Sequence, residues 1–218
     1  MKDKIEIEVA LNIFTIEKGE VKIFLTRKKT EPYKGYWILP TKELEIDESL
    51  EDCAFKIIEE QTGLHNVYLE QVKTFSAIDR NIDKRVLATS FLGLVDSVSV
   101  EFKTDVIENV ESNWFSINTL PKIGFDHEKI INNSIEKLKS KLIDSNMLKK
   151  LFPSDFTLPE IQRAYEQILG IEIDRRNFRK KFINLGLIED TGYKNEGANG
   201  RPAKLYKFKD EIKQRNLF

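Results

Sequence analysis

The residues best suited to chemistry lie between Pro40 and Leu64, where acidic side chains surround a helix that we predict over roughly 49–62. Positions 57, 60 and 61 fall on one face of such a helix, because residues three and four apart are neighbours. Three carboxylates on that face can hold Mg²⁺ through oxygen and bridge it to a diphosphate. This chain places Ile57, Glu60 and Gln61 there, so the face carries one carboxylate and diphosphate hydrolysis is not favoured.

The spacing of this segment resembles the Nudix box, Gly-x5-Glu-x7-Arg-Glu-U-x-Glu-Glu-x-Gly-U, where U is a bulky aliphatic residue. With Gly63 and Leu64 as anchors, Glu48 matches the first Glu and Lys42 stands in place of the first Gly. The resemblance implies a degenerate box with no catalytic residue, no bound metal and no cofactor. Its key positions are Glu48, Lys56, Ile57, Glu60 and Gln61.

Segments outside the box extend the resemblance to nearly the whole chain. They are Arg27–Pro40, Gly63–Gln71, Phe75–Arg80, Phe156–Gly170 and Asp174–Lys181. Together they resemble the Nudix-related transcriptional regulators, the group that includes the NAD-metabolism regulator NrtR and the arabinose regulator AraR. The resemblance implies an α+β protein, in which a Nudix-like α/β/α sandwich with a mixed sheet precedes a winged helix-turn-helix domain.

Bulk composition is compatible with two small domains, which we place at 1–146 and 147–218. No apolar run approaches the ~20 residues that a membrane-spanning helix needs, and the N-terminus does not look like a signal peptide. The single cysteine, Cys53, rules out an internal disulfide and fits a cytoplasmic protein. With two histidines in the chain, a cysteine–histidine zinc site is also excluded.

Charge is distributed unevenly along the chain. The net charge is −1, but residues 151–218 contain 13 basic and 10 acidic side chains. The excess is concentrated in residues 175–204, with eight basic side chains against three acidic ones. A basic patch of this kind favours a polyanionic partner.

The second half follows the order helix, helix, hairpin. Thr157 is positioned to cap the first helix, and Asp174 the second. We expect the second helix to turn Phe178, Phe182 and Ile183 inward. Strands at 187–190 and 203–208 then surround a loop at 191–202, which is typical of a winged helix.

The second helix and the wing supply the predicted DNA contacts. Asn177 is suited to adenine and an arginine to guanine. The residues suited to phosphates are Lys181, Lys194, Arg201 and Lys204. The candidate residues are Arg175, Arg176, Asn177, Arg179, Lys180, Lys181, Lys194, Arg201 and Lys204. A protein-interaction or RNA-binding module with the same basic face is the alternative.

The first domain is predicted to bind a small-molecule effector where strand ends meet the box helix. An aromatic ring there can stack on a sugar or base, and arginines can bind phosphate or hydroxyl oxygens. The candidates are Arg27, Trp37, Phe75, Asp79, Arg80 and Arg85, although Trp37 also suits a core position. The resemblance implies ADP-ribose or an L-arabinose-like sugar, and the eroded box is closer to the sugar-sensing branch.

These observations predict a ligand-responsive transcriptional regulator, acting as a repressor of sugar-utilisation or NAD-metabolism genes. We expect a homodimer on double-stranded operator DNA, because one recognition helix reads few base pairs. A divergent Mg²⁺-dependent Nudix pyrophosphohydrolase with an appended nucleic-acid-binding domain is the second interpretation.

Overall fold

The computed structural model describes residues 4–65, 67–96, 100, 111–142, 150–152, 155–195 and 202–209. They form a large sheet with helices on both faces, followed by a smaller unit of two helices and a hairpin. The predicted α+β architecture and the order of its two parts are therefore confirmed. In these ranges no helix combines the length and the apolar character needed to cross a bilayer.

The large sheet is mixed, as predicted. Its central order is β3-β2-β1-β6-β5, and β4 and β7 pair with β1 and β2. Strands β1 and β6 run parallel, and the other pairs are antiparallel. The strands are β1 (Ile5–Glu17), β2 (Glu20–Arg27), β3 (Trp37–Ile38), β4 (Thr41–Glu43), β5 (Tyr68–Phe75), β6 (Arg85–Leu94) and β7 (Ser112–Ser116).

The box helix forms where it was predicted, but it changes geometry along its length. Helix α1 (Leu50–Ile57) begins with a capping box, in which the Ser49 hydroxyl accepts from the amide of Asp52. A π-helical segment, Ile58–Thr62, continues it, and Gly63 ends it with φ at 62°. Such segments are rare and often occur at functional sites.

Strand β1 separates two hydrophobic cores because its side chains alternate between the faces of the sheet. Leu11 and Ile13 pack on the face covered by α1. Phe14 and Ile16 pack on the opposite face, which is covered by helix α2 (His127–Leu142). The sheet therefore has a helical layer on each side.

The second unit follows the predicted order. It contains α3 (Leu158–Leu169), α4 (Arg175–Asn184), β8 (Ile188–Asn195) and β9 (Ala203–Phe208). The predicted caps of the two helices are confirmed, since both cap side chains accept from backbone amides in the first turn.

Two details of this unit were predicted wrongly. The strand predicted to end at position 190 continues to Asn195, with a change of register after Asp190 and renewed pairing at Lys194 and Lys204. The interruption coincides with Gly192, whose φ is +81°. Ile183 does not face inward, because it is 45% exposed while its neighbour Phe182 is fully buried.

The two units share one core. Leu151, Phe152 and Phe156 belong to the same buried cluster as Phe14 of the sheet and Tyr165 of α3. The predicted boundary between residues 146 and 147 falls in 143–149, outside the described residues. The winged helix is thus packed against the sheet.

Candidate functional site

The three positions of the helix face that would bind a metal in an intact box have other roles in this structure. Ile57 is fully buried in the core between the sheet and α1. Both carboxylate oxygens of Glu60 accept from the Lys42 ammonium, at 3.0 and 2.9 Å. Gln61 donates from its side-chain amide to the carbonyl of Thr41 at 2.8 Å. The one remaining carboxylate of the face is therefore already paired with a cation of the protein.

The upstream box carboxylate, Glu48, is also paired. Its Oε1 accepts from the backbone amide of Glu45 at 2.8 Å, and its Oε2 lies 2.5 Å from the ammonium of Lys56. These contacts hold the pKa of the Glu48 carboxyl below its usual value. The hydrogen bond from Lys42 to Glu60 likewise raises the pKa of that lysine.

This donor set does not fit the Mg²⁺ ions of a Nudix hydrolase. Such ions need several oxygen ligands from carboxylates, carbonyls or water. Here two lysines occupy the carboxylates of Glu48 and Glu60, and Ile57 offers no ligand atom. Nowhere in the described ranges do three or more His, Cys, Asp or Glu residues form a group able to hold a metal ion.

Two open grooves lie beside the box. The larger, about 890 Å³, is bounded by the start of β1 and by the segment that runs from Lys42 to Glu48. The smaller, about 310 Å³, lies between the start of β1 and the loop before β6, with Glu8, Lys28 and Phe125 in its wall. Both fall within or near the size range of small-molecule sites.

The six predicted effector residues lie outside the walls of these two grooves. Arg27 donates to the carbonyl of Gly35 and forms an ion pair of 2.9 Å with Glu111. Trp37 is the strand partner of Arg27 and packs edge-on against Phe115, with ring centroids 4.6 Å apart. A ligand-stacking role and a core role were both open for Trp37, and its contact with Phe115 is one expected of a core residue.

The remaining candidates surround the loop between β5 and β6. The Arg80 side chain is 2% exposed and bonds Asp126 through two nitrogens, at 3.2 and 3.0 Å, with Glu8 at 3.6 Å. Arg85 closes the loop by donating to the carbonyls of Ser76 and Ala77. Phe75 lies at the end of β5, and Asp79 is exposed. Their role in effector binding stays a prediction.

Helix α4 presents its basic residues on two different faces. Phe178 and Phe182 are buried, with ring centroids 4.4 Å apart, and fix which side of the helix points inward. A helix turns by about 100° per residue, so Arg176 and Lys180 lie opposite the two rings. Asn177 flanks that outer face, and its backbone amide donates to the capping carboxylate of Asp174 at 2.8 Å.

Arg175 and Arg179 lie on the flank of α4 that faces the wing. They share a groove of about 480 Å³ with the start of α3 and with Lys204 of β9. The Lys204 ammonium is 2.6 Å from Asp190 across the hairpin. Lys194 is exposed on the wing, and Lys181 is half-buried at the other side of α4. Arg201 lies outside the described residues.

A polar contact between the two units was not predicted. In α3, Gln167 accepts from the backbone amide of Val21 at 2.6 Å, and Arg163 donates to the carbonyl of Lys18 at 2.8 Å. Both acceptor and donor backbone groups belong to the β1–β2 hairpin. The sequence carries no signal for these contacts, because the partners are about 145 residues apart.

Comparison with known proteins gives matches for both parts of the chain. Residues 7–133 match the family described as "NUDIX domain", and residues 148–208 match "NrtR DNA-binding winged helix domain". The ADPR responsive transcriptional repressor NtrR of Acinetobacter baylyi is 30% identical over 204 residues, which are 92% of this chain and 80% of that protein.

Two further similarities differ in how much of the chain they cover. The ADP-ribose pyrophosphatase of Methanocaldococcus jannaschii is 32% identical over 132 residues, or 61% of this chain and 76% of that enzyme. The crystal structure of Shewanella oneidensis NrtR complexed with a 27-mer DNA superposes with a TM-score of 0.77 at 27% identity. That superposition covers 97% of this chain and 99% of the NrtR chain.

Proposed function

We propose that this chain is a transcriptional repressor that releases its operator when ADP-ribose binds. The chain belongs to the NrtR family of regulators, which are built from a Nudix domain and a DNA-binding winged helix. The similarity to a repressor across 92% of the chain carries the proposal. The exposed basic residues of α4 support it, because duplex DNA is a polyanion and the helix can enter its major groove.

ADP-ribose is the proposed effector, in preference to the L-arabinose-like sugar that the eroded box favoured. The Acinetobacter repressor is named as responsive to ADP-ribose, and the Methanocaldococcus enzyme is named as an ADP-ribose pyrophosphatase. The regulated genes are, on this proposal, genes of NAD metabolism. If the effector is instead an L-arabinose-like sugar, the protein should bind the pentose saturably and should not bind ADP-ribose.

We also propose that the Nudix domain does not hydrolyse its ligand. The contacts of Lys42 with Glu60 and of Lys56 with Glu48 support this, because they place ammonium groups on the carboxylates that a metal would need. The similarity to an ADP-ribose pyrophosphatase favours the opposite outcome. The protein is incubated with ADP-ribose and Mg²⁺, and the products are separated by chromatography. Turnover that disappears in Glu60→Gln would establish that the protein is an enzyme.

A homodimer is the proposed DNA-binding form. Two recognition helices reading symmetric half-sites supply affinity and specificity that one helix lacks. ADP-ribose acts on such a dimer only if it binds its DNA-bound and released geometries with different affinity, since equal affinity shifts nothing. Light scattering of the free protein and the stoichiometry of the operator complex test this state.

The central experiment measures operator binding by fluorescence anisotropy with and without effector. The operator is first selected from a random duplex pool by the full-length protein. We expect ADP-ribose to weaken operator binding and L-arabinose to leave it unchanged. Lys129→Ala, which removes an exposed lysine of α2, is the control and is expected to behave like the wild type. Failure to enrich any duplex would contradict the proposal.

A further inference from the structure

The groove between α4 and the wing separates the basic residues of the recognition helix into two groups. The start of α3 forms one wall with Leu158, Pro159 and Gln162, and β9 forms another. Arg175 and Arg179 are one helical turn apart and both line this groove. The residues of the outer face of α4, Arg176 and Lys180, are not part of its wall.

The groove is lined by three basic side chains. In the described part of the chain no carboxylate lies within ion-pair distance of Arg175 or Arg179, and both residues are exposed. Lys204 adds a third cation, although Asp190 holds it at 2.6 Å and offsets part of its charge. Among the described residues, these two guanidinium groups therefore line the groove without a carboxylate partner.

A groove of this kind fits the DNA backbone better than it fits base edges. Guanidinium groups bind phosphate with two parallel hydrogen bonds. When a recognition helix lies in the major groove, its outermost face meets the bases and its flanks meet the strands on either side. The wing side of α4 is such a flank, and the buried ring of Phe178 is part of the groove wall.

We infer that this groove binds the sugar–phosphate backbone of duplex DNA, with Arg175 and Arg179 as phosphate contacts, while the outer residues Arg176, Asn177 and Lys180 read base edges. The inference rests on the proposed function, because it assigns parts of the same DNA interface. It divides five predicted DNA contacts of one helix into two classes with different consequences for specificity.

The test compares the same substitution on the two faces of one helix. Arg175→Gln, Arg179→Gln and Arg176→Gln each remove one positive charge from an exposed site on α4. Circular dichroism and thermal melting first establish that each full-length variant is folded like the wild type. Affinity for the selected operator and for a scrambled duplex is then measured at several salt concentrations.

We expect the two groove variants to weaken operator and scrambled DNA by the same factor and to lower the salt slope by about one. The ratio of the two affinities stays constant for them. Arg176→Gln weakens operator binding by about 5- to 150-fold, as expected for one lost base contact, and weakens scrambled DNA much less. A fall in the affinity ratio for Arg179→Gln as large as that for Arg176→Gln would overturn the inference.

Operators with single methylphosphonate linkages supply an independent measurement. Removing the charge of the contacted phosphate weakens wild-type binding, but weakens Arg179→Gln no further, because the partner is already absent. Additive losses at every linkage would contradict the assignment. So would groove variants that weaken single-stranded RNA binding while leaving duplex binding unchanged. Absence of duplex binding by the wild type is a separate result, which removes the proposed function itself.

Discussion

The Arg163 guanidinium on α3 donates a hydrogen bond of 2.8 Å to the carbonyl oxygen of Lys18, at the turn between the first two strands of the sheet. Gln167, one helical turn later, accepts from the amide of Val21 at 2.6 Å and lies 3.4 Å from the hydroxyl of Ser116. Helix α3 is therefore fastened to the Nudix sheet and, through its buried face, to the recognition helix. A displacement of this hairpin would move the winged helix with it.

Replacing Gln167 with Ala is expected to loosen this junction. The amide of Val21 then loses its acceptor in a partly buried position, which costs about 1–3 kcal/mol of unfolding free energy. Urea denaturation measures the loss. The same variant is expected to reduce the effect of ADP-ribose on operator affinity, because the sheet and the winged helix are less firmly connected. For the loss of unfolding free energy, Gln162→Ala is the matched control, since its side chain bonds Glu166 and Ile173 inside the winged helix.

Gly19 tests how closely α3 approaches the sheet. A Cβ at this position would lie 2.9 Å from the Cα and the carbonyl oxygen of Glu160, and the residue has φ at +82°. Gly192 has φ at +81° but nothing within 4 Å of its Cβ position. In Gly192→Ala the loss of unfolding free energy therefore comes from backbone strain and is expected to be about 1 kcal/mol or more. In Gly19→Ala the loss also includes the free energy needed to displace α3. Equal losses of unfolding free energy in the two variants would show that α3 is displaced from the sheet without measurable cost.

The ion pair between Lys42 and Glu60 is expected to govern metal sensitivity. In the wild type, Mg²⁺ should not change the affinity for ADP-ribose, because the Lys42 ammonium occupies both oxygens of the carboxylate. In Lys42→Ala the carboxylate is free, and Mg²⁺ should then increase the measured affinity. Titration calorimetry with Mg²⁺ or EDTA distinguishes the cases, with Lys129→Ala as the control. A wild-type affinity that collapses in EDTA would contradict this role for Lys42.

His127 is expected to make stability depend on pH below 6.5. The side chain is buried, and its Nδ1 accepts from the amide of Leu39 at 3.0 Å. Burial, together with the positive Arg80, lowers the pKa of His127 from 6.5 to about 3. The unfolded chain therefore binds a proton below pH 6.5 that the folded chain rejects until about pH 3. The stability present above pH 6.5 is lost as pH falls, by up to about 1.4 kcal/mol per pH unit.

His127→Asn keeps an acceptor for the amide of Leu39 but does not titrate. The fall in unfolding free energy between pH 6.5 and pH 4 should be smaller in this variant, by roughly 1 kcal/mol per pH unit. Carboxyl groups such as Glu48 titrate in both proteins and cancel in the difference. Parallel stability curves for the two proteins would show that His127 is not the titrating group.

Features governed by neighbouring residues could be read from the sequence. The caps at Thr157 and Asp174 and the end of the box helix at Gly63 follow from local conformational preferences. The loss of the metal-binding pattern in the box could be recognised because it follows from which residues occupy the box positions. Its loss of carboxylates at positions 57 and 61 needs no coordinates.

Tertiary structure decided what those residues contact. Lys42 and Glu60 are 18 positions apart, Arg80 and Asp126 are 46, and Arg163 and Lys18 are 145. Side chains so far apart meet only when the sheet and helices bring them together, and a sequence pattern contains no distances. The same holds for the groove beside Arg179. The helical repeat alone puts Arg176 and Arg179 on different sides of α4, but only the fold brings the wing next to Arg179.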